Sequence, residues 1–232
     1  FSLGKTLATP MREFFAILAL RTMPDESTLS NASLDMSPAE REPASSAAPV
    51  RKRPKPGERR VQILQALAGM LEQPGGERIT TAALAARLGV SEAALYRHFA
   101  SKAQMFEGLI EFIEQSVFSL INQIVEREQG GITGLADQGP RQATKIIAML
   151  VQFAEKNPGM ARVMVGDALV FENDRLQQRM NQFFDKIEAT LKQCLRDGAL
   201  SAASATPTVD AQVRASVLMA FAGGRLQRFV RS

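Results

Sequence analysis

The stretch 80–102, TTAALAARLGVSEAALYRHFASK, decides the fold of this chain. It has the pattern of a short helix, a break and a second short helix, in which Thr80 or Thr81 is expected to cap the first helix. Gly89 supplies the left-handed conformation that ends this helix, and Ser91 is expected to cap the second. The shared core is expected to consist of the apolar residues Leu84, Leu88, Val90 and Leu95. Together these signals predict a helix-turn-helix, which places its second helix in the DNA major groove.

The second helix is predicted over Glu92 to Phe99, which is shorter than the roughly 12–15 residues that an isolated helix needs. Packing by the helices before and after it must therefore hold it in place. Ser91 and Ala93 are small and allow close approach to base edges. The polar side chains that suit phosphate oxygens are those of Tyr96, His98 and Lys102. Since Tyr96 and His98 are the only Tyr and His of the chain, a structural role in local packing is the alternative for both.

Composition argues against an enzyme or a metalloprotein. The 232 residues include one Cys and one His, so a disulfide framework or a conventional Cys/His metal site is hard to assemble. Cys194 lies on the apolar side of a helical pattern and is interpreted as a core residue. Asp167, Glu172 and Asp174 could be taken for an acid/base set, but Asp174 is better explained as a first-turn acid of a helix. We therefore expect no catalysis, no metal and no cofactor.

Hydropathy predicts no membrane span. The most apolar candidate is FFAILAL, residues 14–20, which falls short of the roughly 18–20 residues that a spanning helix needs. No A-x-A cleavage site follows it, so it is not expected to export the chain. The cytoplasm is the expected location. The formal net charge of +4 is modest, so the distribution of basic residues matters more than their sum.

Three regions are predicted along the chain. Residues 1–57 are expected to be a disordered extension, because residues 21–57 carry few large apolar side chains. The extension leads into the basic run RKRPKPGERR, residues 51–60, which either follows DNA phosphates or is a solvated linker. Residues 58–101 are expected to form a DNA-binding head and residues 102–232 a helical body. No alternating strand pattern of useful length occurs, so the predicted fold class is all-α.

The head resembles a known family. The stretch 79–110, ITTAALAARLGVSEAALYRHFASKAQMFEGLI, is similar to the N-terminal DNA-binding domain of the TetR family, whose hallmark is Y-x-H-F followed by Lys. The resemblance implies a three-helix DNA-binding head on a helical dimerisation body. It also implies a homodimer that reads a palindromic DNA site. The implied DNA-contact residues are Thr80, Thr81, Ser91, Tyr96, His98 and Lys102.

The body is similar to the nucleoid occlusion factors, a group within the TetR family. The similarity rests on MFEGLIEFIEQS from residue 105, on EKNPGMARVMVGDALVFENDRLQQRMNQFFDKIEATL from residue 155, and on RFVRS at the end. It covers residues 58–129 and 141–232. It implies a nucleoid-associated protein that, when bound to DNA with one or several dimers per site, antagonises polymers of the division protein FtsZ. Septum assembly over the chromosome would thereby be blocked.

Parts of the chain fall outside this resemblance. Residues 130–140 look like a local insertion, and residues 1–50 have no counterpart. The bodies of the group continue past RFVRS with a segment that contributes to dimer packing. The C-terminus is therefore expected to be truncated.

Phe112 lies apart from the main apolar stripe of the long helix in the body. Helical periodicity places it on the side of Met105, where it either packs under the head or lines a hydrophobic groove for a peptide. The resemblance implies an FtsZ-tail groove formed by Phe112, Leu120, Met149, Gln152, Lys156 and Asn157. In this chain Leu120 stands where the group has an Arg, and Gln152 stands where it has a Gly. The shape and charge expected of the groove change accordingly.

The alternative function is that of a TetR-type transcriptional repressor released by a small-molecule inducer. Such a repressor needs a cavity of roughly 300–1,000 Å³ that is lined mostly by apolar groups. The aromatic residues of the body that could line a pocket or fill the core are Phe153, Phe171, Phe183 and Phe184. The sequence leaves both functions open.

Overall fold

The computed structural model describes residues 57–73, 79–129, 135–201 and 204–232. The chain divides into two compact units, Phe1–Val61 and Gln62–Ser232. Within the first unit only residues 57–61 are described, and Glu58 begins a helix there. The predicted disordered extension and most of the basic run therefore lie outside the described residues and stay predictions.

The described part of the chain is helical from end to end. Its helices are α1 Glu58–Leu71, α2 Thr81–Leu88, α3 Glu92–Tyr96, α4 Lys102–Gln129, α5 Leu135–Lys156, α6 Pro158–Met164, α7 Asp174–Ser201 and α8 Pro207–Arg231. A single 3₁₀ turn, Asp167–Leu169, lies between α6 and α7. No strand occurs in the four described ranges, and the predicted all-α fold is confirmed.

Side-chain caps set the helix starts of the head where the sequence placed them. The Thr80 hydroxyl accepts a hydrogen bond from the Ala83 amide at 3.1 Å, which makes Thr80 the cap of α2. Gly89 ends α2 with a φ of 64°, the left-handed conformation that glycine adopts without strain. Ser91 caps α3, and the Ser101 hydroxyl accepts from the Gln104 amide at the start of α4. Each cap satisfies an amide that the helix itself leaves without a partner.

The core of the head forms where α1, α2 and α3 meet the first turns of α4. The side chains that fill it are all nearly inaccessible, namely Ile63, Leu67, Leu84, Leu95, Phe99, Met105 and Leu109. Gly108 lets α4 pass close to this core, because a Cβ there would lie 3.2 Å from the Phe99 ring. The short α3 is thus supported from both sides, which its length requires.

The body is built on α5, α7 and α8, with α5 packed against α7 and α7 against α8. Gly139 lies where α5 approaches α7, and a Cβ there would be 2.1 Å from the carbonyl oxygen of Cys194. Cys194 itself is buried, as predicted, and this burial raises the pKa of its thiol.

The sequence predicts a Gly-rich connection over residues 130–139 that leads into a helix, and this prediction is wrong in its second half. Helix α5 begins at Leu135, and Pro140 lies inside it at the cost of one backbone hydrogen bond. Gly139 falls within that predicted connection. Its position is explained instead by the close approach of two helix backbones, which admits no side chain there.

Two residues of α6 connect the body to the first helix of the head. A Cβ at Gly159 would lie 2.1 Å from the carbonyl oxygen of Ala68 in α1, so only glycine permits this approach. The Arg162 guanidinium donates to the carbonyl oxygens of Leu71 at 3.2 Å and Gln73 at 3.3 Å, just where α1 ends. The bond to Leu71 satisfies a carbonyl that the end of the helix leaves without a partner, and the bond to Gln73 holds the bend that follows.

Candidate DNA-binding site and partner surface

Helix α3 presents its polar side chains to solvent and its apolar ones to the head. Leu95 and Phe99 are 1% exposed, whereas Tyr96 is 45% exposed even though it is a large aromatic residue. The other exposed residues of this segment are Ser91, Glu92, Ala93, Arg97 and His98. The surface predicted to contact DNA is therefore accessible in the folded chain.

The helix is shorter than the sequence predicts. It ends at Tyr96 rather than at Phe99, because the His98 and Phe99 amides both donate to the Leu95 carbonyl oxygen, at 2.9 and 3.1 Å. The chain tightens into a turn here before Ser101 caps the next helix. His98 consequently lies on a turn beside α3 and not on the helix itself.

The three predicted hydroxyl contacts are not equivalent. Thr80 and Ser91 accept hydrogen bonds from backbone amides with their oxygens, and each hydroxyl proton can still be donated to a phosphate. Thr81 donates its proton to the Glu92 carboxylate at 2.5 Å. A phosphate offers only acceptors, so Thr81 must give up this bond in order to donate to one.

Lys102, the last residue of the predicted DNA-contact set, is held by the body. Its ammonium lies 2.5 Å from a carboxylate oxygen of Glu172 and 5.6 Å from the centre of the Phe106 ring. The two charged side chains are 22% and 10% exposed. Sequence reasoning missed this ion pair, because the partners are 70 residues apart.

The three acids that could be taken for an acid/base set serve separate structural purposes. Glu172 binds Lys102, and Asp167 lies 2.7 Å from the Arg162 guanidinium. Asp174 is in the first turn of α7, as predicted, where its negative charge interacts favourably with the positive end of the helix dipole.

The residues of the predicted FtsZ-tail groove divide into two sets. Phe112 and Met149 are buried, at 6% and 4% exposure. Leu120 and Asn157 are half-buried, and the Asn157 side chain donates to the Phe153 carbonyl at 2.8 Å. The exposed members are Gln152 and Lys156. In this structure Phe112 and Met149 belong to the core, Leu120 and Asn157 are partly accessible, and only Gln152 and Lys156 are exposed.

Comparison with known proteins identifies the families that this chain resembles. Residues 63–109 match the family of bacterial regulatory proteins of the tetR family, and residues 141–232 match the tetracyclin repressor-like C-terminal domain of the SlmA-like type. The chain is 51% identical over 174 residues to the nucleoid occlusion factor SlmA of Idiomarina loihiensis, covering 75% of this chain and 84% of the relative. It is 50% identical over 180 residues to the SlmA of Aliivibrio fischeri, covering 77% and 87%.

The chain belongs to the SlmA family. Its fold is also that of a transcriptional regulator from Rhodococcus sp. Rha1, with a TM-score of 0.57 at 21% identity over 75% of this chain and 84% of that chain. As a SlmA-family protein with a TetR-type head, it is a DNA-binding protein and not an enzyme, as the sequence predicts. None of the helices in the described ranges is both long enough and apolar enough to span a membrane.

Proposed function

We propose that this protein is a nucleoid occlusion factor that binds palindromic DNA as a homodimer and, when bound, antagonises FtsZ polymerisation and so blocks septum assembly over the chromosome. The observation that carries the proposal is the exposed surface of α3 on a chain of the SlmA family. The protein would be associated with the nucleoid because its DNA sites are there.

DNA contact is assigned to the residues on and beside α3. Ser91 and Ala93 are exposed and small at the start of the helix, so substitutions there should alter base preference. Tyr96 and His98 are exposed farther along and suit phosphates, whose contacts fix position but carry no sequence information. The hydroxyls of Thr80 and Thr81 and the ammonium of Lys102 complete the proposed set.

An exposed apolar stripe on α8 supports the homodimer. Val209, Val213, Val217 and Phe221 follow one another at four-residue intervals and are 57–61% exposed. Such a row on a long helix is costly in water, and a second copy of the same helix would cover it in a two-fold symmetric interface. Two recognition helices could then read half-sites about 34–36 Å apart.

The dimer is tested by placing a charge in the stripe. Val217→Glu should give a folded monomer that no longer binds a palindromic duplex tightly, whereas Gln182→Glu at an exposed position of α7 should leave both properties unchanged. Sedimentation equilibrium measures the first property and gel-shift titration the second. A dimeric Val217→Glu protein would contradict the assignment of α8.

The alternative, a repressor released by an inducer, finds less support. The hollow that Val151, Ala154 and Leu226 help to line holds about 170 Å³, below the roughly 300–1,000 Å³ of ligand pockets. A wider hollow of about 450 Å³ is lined only by the end of α8 and Ser232, which follows it, and is open to solvent. Phe183 is fully buried and meets the rings of Phe118 and Phe184 edge-on, so it fills the core.

Sedimentation of FtsZ polymers distinguishes the two functions. In the presence of GTP, this protein with a specific DNA duplex should reduce the FtsZ in the pellet, and a scrambled duplex should have a weaker effect. The Tyr96→Ala variant is the matched control, since it should lose the DNA-dependent part of the effect. A pellet that stays constant with wild-type protein and specific DNA would contradict the proposed function and favour the repressor.

A further inference from the structure

We infer that Glu172 is a positioning residue for DNA binding, because it holds the Lys102 ammonium beside the recognition helix in the orientation that a phosphate contact needs. The inference rests on the proposed DNA-contact role of Lys102. The inference adds Glu172, which lies 70 positions away from Lys102 in the sequence and outside the helix-turn-helix.

The geometry around Lys102 gives the ammonium one fixed place. Glu172 binds it at 2.5 Å, and the Phe106 ring lies 5.6 Å away beneath it. Lysine otherwise has a long and flexible side chain, and holding it in one rotamer before binding removes an entropy cost of association. An ammonium has three donors, so the bond to Glu172 leaves donors that can reach a phosphate.

The backbone at both ends of this ion pair is also fixed. Lys102 begins α4 directly after Ser101, whose hydroxyl caps that helix. Glu172 precedes Asn173, whose side-chain oxygen accepts from the Arg175 amide at the start of α7. The Glu172 side chain is only 10% exposed, so the neighbouring residues pack around the carboxylate that binds Lys102. The body thereby sets where this charge lies relative to Tyr96 and the rest of α3.

The charge on Glu172 sharpens the inference. A carboxylate near DNA repels phosphates unless a cation neutralises it, and Lys102 does so in the folded chain. If Glu172 only competed with DNA for Lys102, removing its charge would strengthen binding. If it positions Lys102, removing its charge weakens binding. The two roles therefore predict opposite signs for the same substitution.

The test is a double-mutant cycle on the salt dependence of DNA affinity. Lys102→Ala should lower the slope of log K against log salt by about 0.9, which corresponds to about eightfold in affinity at 0.1 M salt. Glu172→Gln should lower the affinity by up to the same factor and the slope by part of that amount. The double variant should bind no more weakly than Lys102→Ala alone, because both substitutions remove one contact.

A matched control separates positioning from general stabilisation. Glu114→Gln breaks another ion pair of the body, in which the Glu114 carboxylate lies 2.8 Å from Arg179 and is 16% exposed. It is 12 residues along α4 from Lys102, about 18 Å at 1.5 Å per residue. This variant should keep the wild-type slope, even if its melting temperature falls as much as that of Glu172→Gln.

The possible failures are distinguishable. Wild-type or tighter binding by Glu172→Gln, with a weakened Lys102→Ala variant, overturns the positioning role and leaves the DNA-contact assignment intact. Wild-type affinity and slope in Lys102→Ala overturn the contact assignment itself. If Glu114→Gln loses as much slope as Glu172→Gln, the effect is one of general stability and the inference fails.

Discussion

The surface of α3 that is proposed to contact DNA and the predicted FtsZ-tail surface around Phe112 differ in how much of each is exposed to solvent. On α3 the large polar side chains already face solvent, with Tyr96 45% exposed. Phe112 and its neighbour Met149 on that predicted surface are in the core, and only the polar residues Gln152 and Lys156 are exposed. The proposed contact of Tyr96 with DNA therefore requires no change in the burial of that side chain. A peptide can reach Phe112 only in a state whose body differs from this one, and DNA could favour such a state by binding it more tightly.

The largest expected effect comes from truncating Phe112. Phe112→Ala should lower the free energy of unfolding by about 3–5 kcal/mol, because it leaves a cavity in the core. Phe171→Ala is the matched control, since Phe171 is 72% exposed and its loss should change stability by less than about 0.5 kcal/mol. Urea denaturation measures both. A stable Phe112→Ala protein that no longer affects FtsZ would mean that Phe112 is exposed in the state that acts on FtsZ. The difference in exposure between Phe112 and the α3 surface would then not hold in that state.

The next effect is that of the Tyr96 hydroxyl on DNA binding. Tyr96→Phe removes one hydrogen bond to a charged phosphate, worth about 1.5–3 kcal/mol, so the affinity should fall roughly tenfold or more. The loss should be equal on specific and scrambled duplexes in gel-shift titrations, because phosphates are common to both. Thermal stability should not change, since the residue is exposed. Undiminished affinity would remove Tyr96 from the contact set.

A smaller effect tests whether Thr80, a proposed DNA-contact residue, also contributes to the stability of the fold. Thr80→Ala should cost about 1 kcal/mol of stability, because Thr80 caps α2. Thr80→Ser keeps the hydroxyl and should restore both stability and DNA affinity. Thr81→Ala removes an exposed bond to Glu92 and should change the melting temperature less than Thr80→Ala does. Equal melting temperatures for Thr80→Ala and the wild type would show that the cap contributes little.

The smallest effect is expected at the edge of the predicted FtsZ-tail surface. Lys156→Ala should weaken binding of an acidic tail peptide by about 1.4- to fivefold, which corresponds to the roughly 0.2–1 kcal/mol of an exposed ion pair. DNA affinity and stability should stay at wild-type values. Lys186→Ala, at an exposed position of α7, is the charge-matched control for fluorescence anisotropy titrations. If both variants weaken binding equally, the attraction is not specific to this surface.

The sequence predicted the parts of the head that depend on local chemistry. Caps and turns are decided within a few residues, which is why Gly89 and Ser91 could be assigned from the stretch that contains them and the first cap could be narrowed to Thr80 or Thr81. Long-range partners carry no such signal. Glu172 is adjacent to Lys102 only because the body folds back onto the head, and periodicity does not encode that approach.

The burial of Phe112 illustrates a different limit. A hydrophobic stripe identifies the face of a helix that contacts one neighbour, but α4 is in contact with α5, α6 and α7 as well as with the head. It therefore buries more than one face, and a side chain off the main stripe also enters the core. The helical position of Gly139 could not be predicted for a related reason, since the backbone that it approaches, at Cys194, is 55 residues farther along the chain.

The contacts of Gly159 and Arg162 with the end of α1 also have a consequence for local unfolding of the protein. Local unfolding of α1 would remove the carbonyls that Arg162 binds and the backbone that Gly159 touches. The last turn of α1 and all of α6 should therefore form one cooperative unit in native-state hydrogen exchange, with common protection factors. Replacing Arg162 with Leu should let the amides of this turn exchange faster than those of α5. A protease would then cut the head before the body unfolds.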